Sequence, residues 1–307
     1  MKPLVSIVIP TYNRARDLDR ALKSVLAQTC SDWEVLVVDN HSSDNTDDLV
    51  KGFNDSRIKL FKIHNDGVIA ASRNLGIKHA IGEYIAFLDS DDWWSPVKLE
   101  KSLKYLNQGA DVVYHDLYYS NKYNQKLFFK KSNSRQLERP VFEDLIANGN
   151  ALATSSVVVR KVIMDRIGGL SEERDVVTWE DYDAWIRISK ITQNFQFIPE
   201  CLGFYWRGGG NTSNPAKVIE NIEAWERKYL NQSVIIKARC VWATYTKGRC
   251  CYLLKDYKSA ICWFSILIVK QTSSVVKFKV LLLLIASVVK QYLFLIPKGG
   301  SCGNYKK

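Results

Sequence analysis

Acidic residues stand at three places in the chain where their type and spacing could do chemistry. The segment 89–92 (DSDD) directly follows an apolar run, Asp39 follows another, and Glu180 and Asp181 form an adjacent pair further along. Carboxylate oxygens are the ligands that Mg²⁺ and Mn²⁺ prefer, and two carboxylates leave coordination positions for phosphate oxygens and water. A single carboxylate can also take the proton of an attacking hydroxyl group. These residues therefore predict a cation site; the pair at 180–181 alone would indicate the cap of a helix, and together with the cation site it predicts a general base.

The elements that must position these residues are visible as apolar runs alternating with segments of helical periodicity. Strands alternating with helices predict an α/β fold with a right-handed sheet of the doubly wound type. The predicted strands are 4–9, 33–38, 58–63 and 83–88, and the predicted helices between and after them include 17–29, 69–79 and 97–106.

Polar residues follow three of these strands at the point where each strand ends. Residues 11–14 follow the first strand, Asp39 the second and residues 89–92 the fourth. In doubly wound sheets ligands bind beyond the carboxyl ends of the strands, so we expect these side chains to meet. Turn formation alone would not explain acidic residues at two adjacent strand ends without basic partners nearby.

Later segments predict a change of architecture near residue 215. Short strands are predicted at 195–198 and 202–206, whereas the pattern from Pro215 onward is helical throughout. We therefore predict a catalytic domain over residues 1–214 and a helical C-terminal region over 215–307. Gly248, Ala260 and Phe264 have the spacing of a tetratricopeptide-type hairpin, and an ordinary amphipathic helix pair explains them equally well.

The positive charge of the protein belongs to its C-terminal third. Residues 201–307 hold 17 basic and 4 acidic residues, whereas residues 1–200 hold 26 and 28. Such asymmetry indicates an anionic partner, either a nucleic acid or a membrane surface. No nucleic-acid module is recognisable and the helices are strongly apolar, so the pattern favours an anionic membrane surface and no nucleic acid.

Residues 275–296 are the most apolar segment of this region. Lysines interrupt the segment and leave an uninterrupted stretch of ten residues, 280–289, whereas a membrane span needs ~20. Either an interfacial helix with lysines reaching toward water or a helix packed on the catalytic domain fits this pattern.

Cysteine usage and the start of the chain indicate a cytosolic protein. The seven cysteines form no C-x-x-C pair, so they predict small buried hydrophobic residues rather than a zinc site or a disulfide framework. The first ten residues already read as a buried strand, so no signal segment is expected.

Five segments together resemble the successive motifs of family 2 glycosyltransferases. They stand in the order and spacing of that family and cover about the first two thirds of the chain. The resemblance implies the GT-A fold, a nucleotide-binding doubly wound mixed sheet, here with an α-helical C-terminal extension. The segments are 5–14 (VSIVIPTYNR), 37–46 (VVDNHSSDNT), 71–77 (ASRNLGI), 87–94 (FLDSDDWW) and 179–183 (WEDYD).

The same resemblance implies a role for each matching residue. Asp91 is the main ligand of Mn²⁺ or Mg²⁺, Asp89 faces the metal or the ribose, and Asp92 either assists or caps the following turn. Asp181 is the catalytic base, beside Glu180, which holds the acceptor or orients Asp181. A helix N-terminus at this pair would favour the charged form of Asp181. The residues implied to bind the nucleotide-sugar are Pro10, Thr11, Tyr12, Asn13, Arg14, Asp39, Arg73, Asp89, Ser90 and Arg207.

Individual contacts are implied within this set. Asp39 would accept a hydrogen bond from the base ring, which the backbone at Pro10 and Thr11 and the ring of Tyr12 would hold. Arg73 would reach the base or the diphosphate, with a surface ion pair as the alternative. One of Trp93 and Trp94 is expected to be a core residue.

One departure from the family pattern concerns the end of the catalytic domain. Many members have a histidine after a Tyr-Arg pair, whereas residues 205–213 (YWRGGGNTS) contain none. Arg207 or the amides of this loop would then serve the diphosphate, and the third metal ligand is left open.

The function implied is that of a metal-dependent hexosyltransferase that inverts the anomeric centre and is non-processive. It would move a sugar from a UDP-sugar to a lipid-linked oligosaccharide in bacterial O-antigen or capsule synthesis, as a cytoplasmic protein peripheral on the inner membrane face. Alternatives are a GDP- or dTDP-sugar transferase acting on a protein or cell-wall polymer, and a non-catalytic nucleotide-sugar-binding protein. A nucleotidyltransferase would need a glycine- and lysine-rich loop after the first strand, which residues 10–14 (PTYNR) do not supply.

Overall fold

Apolar, β-branched runs in the first two thirds of the chain form one mixed sheet of eight strands. The computed structural model describes residues 2–123, 125, 127–174, 178–208, 214–230, 240–269 and 274–295. The chain divides into two compact units, Met1–Asn211 and Thr212–Lys307, called here the α/β unit and the helical unit.

Strands and helices of the α/β unit alternate as the sequence predicts. The strands are β1 (Val5–Thr11), β2 (Trp33–Asp39), β3 (Ile58–Lys62), β4 (Tyr84–Phe87), β5 (Trp93–Trp94), β6 (Val112–Ser120), β7 (Val158–Arg160) and β8 (Phe195–Trp206). The helices are α1 (Ala15–Leu26), α2 (Thr46–Gly52), α3 (Ile69–His79), α4 (Lys98–Asn107), α5 (Val141–Asn148), α6 (Lys161–Arg166) and α7 (Glu180–Ser189).

The sheet has the strand order β3-β2-β1-β4-β7-β6-β8-β5. β1 runs parallel to β2 and β4, and β2 runs parallel to β3, so the carboxyl ends of these four strands share one edge. β7 is antiparallel to β4, and β6 is parallel to β8. The predicted α/β architecture with a helical C-terminal region is confirmed.

Helices cover both faces of the parallel half of the sheet. Val5, Ile7 and Ile9 alternate along β1 toward one apolar cluster that α1 and α4 complete. Val8 points the other way, toward α3, where a Cβ on Gly76 would lie 2.5 Å from its Cγ1 atom. Glycine at position 76 therefore permits the close approach of α3 to the sheet.

Two sequence-based boundaries differ from the structure. The two short strands predicted at 195–198 and 202–206 form the single strand β8. Its parallel ladder with β6 shifts register near His115 and Asp116, which accommodates the residues between the two predicted strands. The two-residue strand β5 and the helix α5 are not apparent in the sequence pattern.

The helical unit contains α8 (Pro215–Tyr229), α9 (Val241–Leu253), α10 (Tyr257–Val269) and α11 (Ser274–Leu295). Gly248 on α9 faces the ring of Phe264 on α10, where a Cβ would lie 2.7 Å from the Cε1 atom. Within the described parts of the chain, no helix has both the length and the continuous apolarity that crossing a bilayer requires.

The approach of β4 to β1 predicts a strong effect of a methyl group at Gly82. A Cβ at this position would lie 2.7 Å from the backbone nitrogen of Ser6, so Gly82→Ala should destabilise the fold by about 1–3 kcal/mol. Thermal or urea unfolding of the purified protein measures the change. Gly52→Ala is the matched control because no atom lies within 4 Å of its Cβ position. Equal unfolding midpoints for the two variants would contradict this account.

Candidate active site

The carboxyl ends of β1, β2 and β4 bring the predicted polar residues to one edge of the sheet. Thr11 lies opposite Asp39 in the parallel register. Asp39 is fully buried, and its carboxylate accepts hydrogen bonds from the backbone nitrogen and hydroxyl of Ser42 and from Lys62 Nζ at 2.6 Å. The buried hydroxyl of Thr11 has no hydrogen-bond partner among the described residues, so a polar group is available there for a ligand.

Two arginines hold the segment 89–92 from the side of α1. Arg14 Nη1 lies 2.8 Å from Asp91 Oδ2, and Arg20 Nη2 donates a 2.5 Å hydrogen bond to the backbone carbonyl of Asp91. The guanidinium of Arg20 also lies 4.0 Å from the ring centroid of Trp93. Arg20 therefore fixes the backbone of this segment, while Arg14 contacts its side chain.

Arg73 connects the metal motif to Glu180, the neighbour of the predicted catalytic base Asp181. Its guanidinium donates to Asp89 Oδ1 and to Glu180 Oε1, each at 2.6 Å, and only 3% of Arg73 is exposed. Burial alone would lower the pKa of Arg73, but the carboxylates of Asp89 and Glu180 raise it above its ordinary value. Arg73 is therefore a permanent buried cation, and the alternative of a surface ion pair is wrong.

Asp181 lies in the first turn of α7, beside Glu180. Its Oδ2 atom accepts a 2.6 Å hydrogen bond from the hydroxyl of Thr154, and the side chain is half-buried. Burial, followed by the repulsion of Glu180, raises the pKa of Asp181 to about 6. The net shift of the pKa is toward the neutral form, although Asp181 stands in the first turn of α7, where a helix N-terminus favours negative charge.

Asp92 has a structural role that the sequence did not reveal. It is 1% exposed, and its Oδ1 atom accepts a 2.8 Å hydrogen bond from the backbone nitrogen of Trp206 at the end of β8. Burial and the neighbouring carboxylates of Asp91 and Asp89 raise its pKa well above the ordinary value. Asp92 thus ties the motif to β8 instead of capping the following turn.

Repulsion between carboxylates also acts on Asp91. Burial, followed by the charge of Asp89, raises the pKa of Asp91 to about 6 although Arg14 opposes the shift. The structure thereby corrects one premise of the sequence analysis, because three of the four predicted strand-end carboxylates have a basic partner. Those partners are Lys62 for Asp39, Arg73 for Asp89 and Arg14 for Asp91.

The remaining predicted binding residues lie around the same edge. Tyr12 is 55% exposed beyond Pro10, and Asn13 adopts a left-handed φ of 50° and accepts a 2.7 Å hydrogen bond from the backbone nitrogen of Ser43. Ser90 is buried within the metal motif.

Arg207 is exposed, and its guanidinium lies 4.8 Å from the ring centroid of Tyr119. The loop amides of 209–213 that could serve a diphosphate lie outside the described residues.

The donor set suits a divalent cation that shares its coordination with a diphosphate. Asp89 and Asp91 each engage one carboxylate oxygen with a guanidinium, which leaves a second oxygen on each side chain. Mg²⁺ is commonly bound through one or two carboxylates together with phosphate oxygens. Within the described ranges, no group of three or more His, Cys, Asp or Glu side chains converges as a complete metal cage. Two carboxylates therefore fit a metal that arrives with its nucleotide.

Sequence analysis missed several residues of this site. Lys62 carried a signal, since the parallel register of β2 and β3 places it opposite Asp39. Arg20 and Thr154 carried none, because each reaches the site through tertiary contacts. Trp94 is the predicted core tryptophan, 3% exposed, and its Nε1 donates to the carbonyl of Ser155 at 2.7 Å.

Comparison with known proteins identifies relatives of the sequence. The family model described as Glycosyl transferase family 2 matches residues 6–164. UDP-Glc:alpha-D-GlcNAc-diphosphoundecaprenol beta-1,3-glucosyltransferase WfgD of Escherichia coli is 35% identical over 188 residues, which cover 61% of this chain and 70% of that protein. An uncharacterized glycosyltransferase of Rickettsia conorii is 45% identical over 123 residues, 40% of this chain, and the match spans only 20% of that longer relative.

Solved structures show the same fold at low identity. TarS 1-349 of S. aureus in complex with UDP superposes with a TM-score of 0.57 at 15% identity, covering 96% of this chain and 91% of that chain. The mannosyltransferase PcManGT of Pyrobaculum calidifontis, in complex with GDP-Man and Mn²⁺, gives 0.57 at 16% identity, covering 96% and 88%. These neighbours confirm the predicted GT-A fold.

Removal of the buried charge of Arg73 should destabilise the α/β unit. Arg73→Gln leaves two carboxylates without their shared cation, so we expect a loss of about 3 kcal/mol in the free energy of unfolding. Arg73→Lys should recover only part of it, because an ammonium group lacks the fork that reaches both partners. Urea unfolding measures both variants.

Arg160→Gln is the matched control for this experiment. Arg160 also contacts two carboxylates, those of Asp111 and Glu83 at 3.1 Å each, but at a partly exposed position. We expect a loss of about 1 kcal/mol or less for this variant. A loss at Arg73 no larger than that at Arg160 would show that the bridge is not a strong constraint.

Proposed function

Because the chain belongs to glycosyl transferase family 2, we propose that it moves a hexose from a UDP-sugar to a hydroxyl group of a lipid-diphosphate-linked oligosaccharide in surface-polysaccharide synthesis. The observation that carries this proposal is the bridge made by Arg73, which places the carboxylates of Asp89 and Glu180 around one guanidinium. The segment proposed to bind the donor and the two carboxylates proposed to act on the acceptor thereby lie in one site. The lipid-linked acceptor is supported by the diphosphoundecaprenol-linked sugar in the name of the E. coli relative.

The donor would bind along the edge formed by β1, β2 and β4. Asp39, buried at the end of β2, would accept a hydrogen bond from the ring N–H of the base, which the exposed ring of Tyr12 would cover. A Mg²⁺ or Mn²⁺ ion held by Asp89 and Asp91 would neutralise the charge of the diphosphate leaving group. Arg14 is placed to contact a diphosphate oxygen as well, since its guanidinium already lies at Asp91.

The acceptor would react on the side of α7. Its hydroxyl oxygen forms a bond to the anomeric carbon while the proton passes to Asp181 Oδ, and the bond to the diphosphate oxygen breaks with its electron pair leaving on the nucleotide. Attack opposite the leaving group inverts an α-linked donor to a β-linked product. With a pKa of about 6, Asp181 is ionised at neutral pH, and its pKa is close enough to 7 for the carboxylate to accept a proton efficiently.

The helical unit supports a peripheral position on the inner, cytoplasmic face of the membrane. Six large apolar side chains on α11 recur at helical spacing and are each 45–68% exposed. From residue 257 to the end the sequence has eight lysines and no acidic residue. An exposed apolar stripe flanked by lysines fits an anionic lipid surface. The stripe consists of Phe278, Leu281, Leu282, Ile285, Val289 and Tyr292.

A donor screen tests the reaction class. Purified protein with Mn²⁺ or Mg²⁺ should release nucleoside diphosphate from one UDP-sugar, and EDTA should abolish the release. Asp91→Asn should lower the rate by about 10²-fold or more, because it removes a charge that the metal needs. Diphosphate release is measured by a coupled assay across UDP-, GDP- and dTDP-sugars.

Asp165→Asn serves as the control for the screen. Asp165 pairs with Lys161 at an exposed position outside the site. Release from a GDP- or dTDP-sugar alone would replace the proposed donor. Release that is equal in the Asp91→Asn protein, or that persists in EDTA, would exclude the metal assignment.

The pH dependence of transfer tests Asp181 as the base. Asp181 acts in its ionised form, so kcat/KM should rise with pH through about 6 and become level above it. Thr154→Val removes a hydrogen bond that stabilises this ionised form, so the apparent pKa should rise by about one unit. Thr154→Ser keeps the hydroxyl and should retain the wild-type profile. Identical profiles for the Val and Ser variants would mean that another group is the base.

A further inference from the structure

Two large apolar side chains of the α/β unit project into solvent close to the site. Phe129 is 87% exposed, more than any other large apolar residue in the described part of the chain, and Leu127 is 68% exposed. Both belong to residues 127–131 (LFFKK), called here the apolar-basic segment. Nothing in the proposed catalytic mechanism uses these side chains, so their exposure calls for a separate explanation.

The backbone of the apolar-basic segment is held firmly against β6. Lys130 accepts a 2.8 Å hydrogen bond from the backbone nitrogen of Tyr119, and the backbone nitrogen of Ser132 donates to the carbonyl of Leu117 at 2.8 Å. The ring of Phe128 packs 4.7 Å from that of Phe204. Phe128 is half-buried against Phe204, whereas Leu127 and Phe129 on either side of it are exposed. The exposed side chains are therefore presented by an ordered platform.

The charge of this region has one sign. Between Asp116 and Glu138 the sequence contains five basic residues and no acidic residue. Lys122 and Lys130 are exposed, whereas Lys131 pairs with Asp116 at 2.6 Å and Arg135 pairs with Asp144 at 2.5 Å. Apolar side chains interleaved with lysines are the composition that binds the interface of an anionic membrane.

The apolar-basic segment also adjoins the site. Phe204, against which Phe128 packs, pairs in the sheet with Trp93, the second residue after Asp91. Trp206, at the end of the same strand, donates its backbone N–H to Asp92. The apolar-basic segment is thus connected to the metal motif through the strand pair formed by β8 and β5.

We infer that the apolar-basic segment docks the α/β unit on the anionic lipid surface that carries its acceptor. This inference rests on the proposed function, since it supplies a lipid-linked acceptor at the membrane. Leu127 and Phe129 enter the interfacial region, and Lys122 and Lys130 face lipid phosphates. A second copy of the chain is a poor occupant, because a two-fold contact would set this positive surface against itself.

Vesicle partition of the full-length protein tests this docking. We expect the Leu127→Ser/Phe129→Ser variant to have at least about a tenfold lower partition coefficient on phosphatidylcholine–phosphatidylglycerol vesicles. Lys122→Gln/Lys130→Gln should show a loss of about tenfold on these vesicles and none on pure phosphatidylcholine. Cosedimentation measures partition. Ile81→Ser/Val162→Ser is the matched control, since Ile81 and Val162 are 47% and 59% exposed elsewhere on the unit.

Three results would overturn the inference. One is an unchanged partition of the Leu127→Ser/Phe129→Ser variant, and another is an equal loss in the Ile81→Ser/Val162→Ser control. The third is a dimer, seen by light scattering, that the Leu127→Ser/Phe129→Ser variant alone loses, because the segment would then bind a second copy.

Separate measurements distinguish this failure from failure of the proposed function. The affinity for UDP in the presence of Mn²⁺, measured by calorimetry, should be the same in all these variants. If the wild-type protein does not bind UDP, the proposed function is rejected, independently of the vesicle result. Leu282→Ser/Ile285→Ser reports the contribution of α11 independently. Normal nucleotide binding together with unchanged partition of the Leu127→Ser/Phe129→Ser variant would reject the docking segment alone.

Discussion

The burial of the Arg73 guanidinium is the constraint on which the arrangement of the site depends. A buried cation is costly unless its charge is matched, and here the two matching carboxylates come from the end of β4 and the start of α7. Glu180 is 107 residues from Arg73 in the sequence. The second half of the α/β unit must therefore close on the first for the ion pairs to form. Assembly of the site therefore requires the packed fold of the α/β unit.

Negative charge remains in excess after these pairs have formed. Five carboxylates lie at the end of β4 and the start of α7, and the two cations Arg14 and Arg73 form ion pairs with three of them. Burial first, and then the repulsion that is left, raise the pKa values of Asp91 and Asp181. In the proposed complex a divalent cation would relieve this repulsion, and the diphosphate bound to the cation would bring negative charge that Arg14 can contact. In the proposed complex, metal and nucleotide therefore favour each other. The five carboxylates counted above are those of Asp89, Asp91, Asp92, Glu180 and Asp181.

Sequence pattern predicted those parts of the molecule that local chemistry determines. The helix at 69–79 matches α3 to the residue, and Pro215 begins α8 as expected. The positions of Asp39 and Asp89 followed from apolar runs that end there. Arg20 and Thr154 could not be found in this way, because their roles exist only once distant elements pack. Continuity of β8 was missed for a similar reason, since its partner β6 supplies the irregular register that lets it continue past Pro199.

Asp91 and Asp181 show how neighbours separate two carboxylates with similarly raised pKa values. Burial is the first cause for both, but the second cause differs. Asp91 is repelled by Asp89 and already contacts a guanidinium, so its surroundings favour a fixed positive charge. Asp181 is repelled by Glu180, whose own charge Arg73 partly compensates, and it accepts a hydroxyl hydrogen bond from Thr154. A hydrogen bond from a neutral hydroxyl group stabilises the ionised carboxylate less than a contact with a cation does, and therefore lowers its pKa less. In the proposed reaction Asp181 would therefore accept the proton of the acceptor, whereas Asp91 would keep its charge beside Arg14.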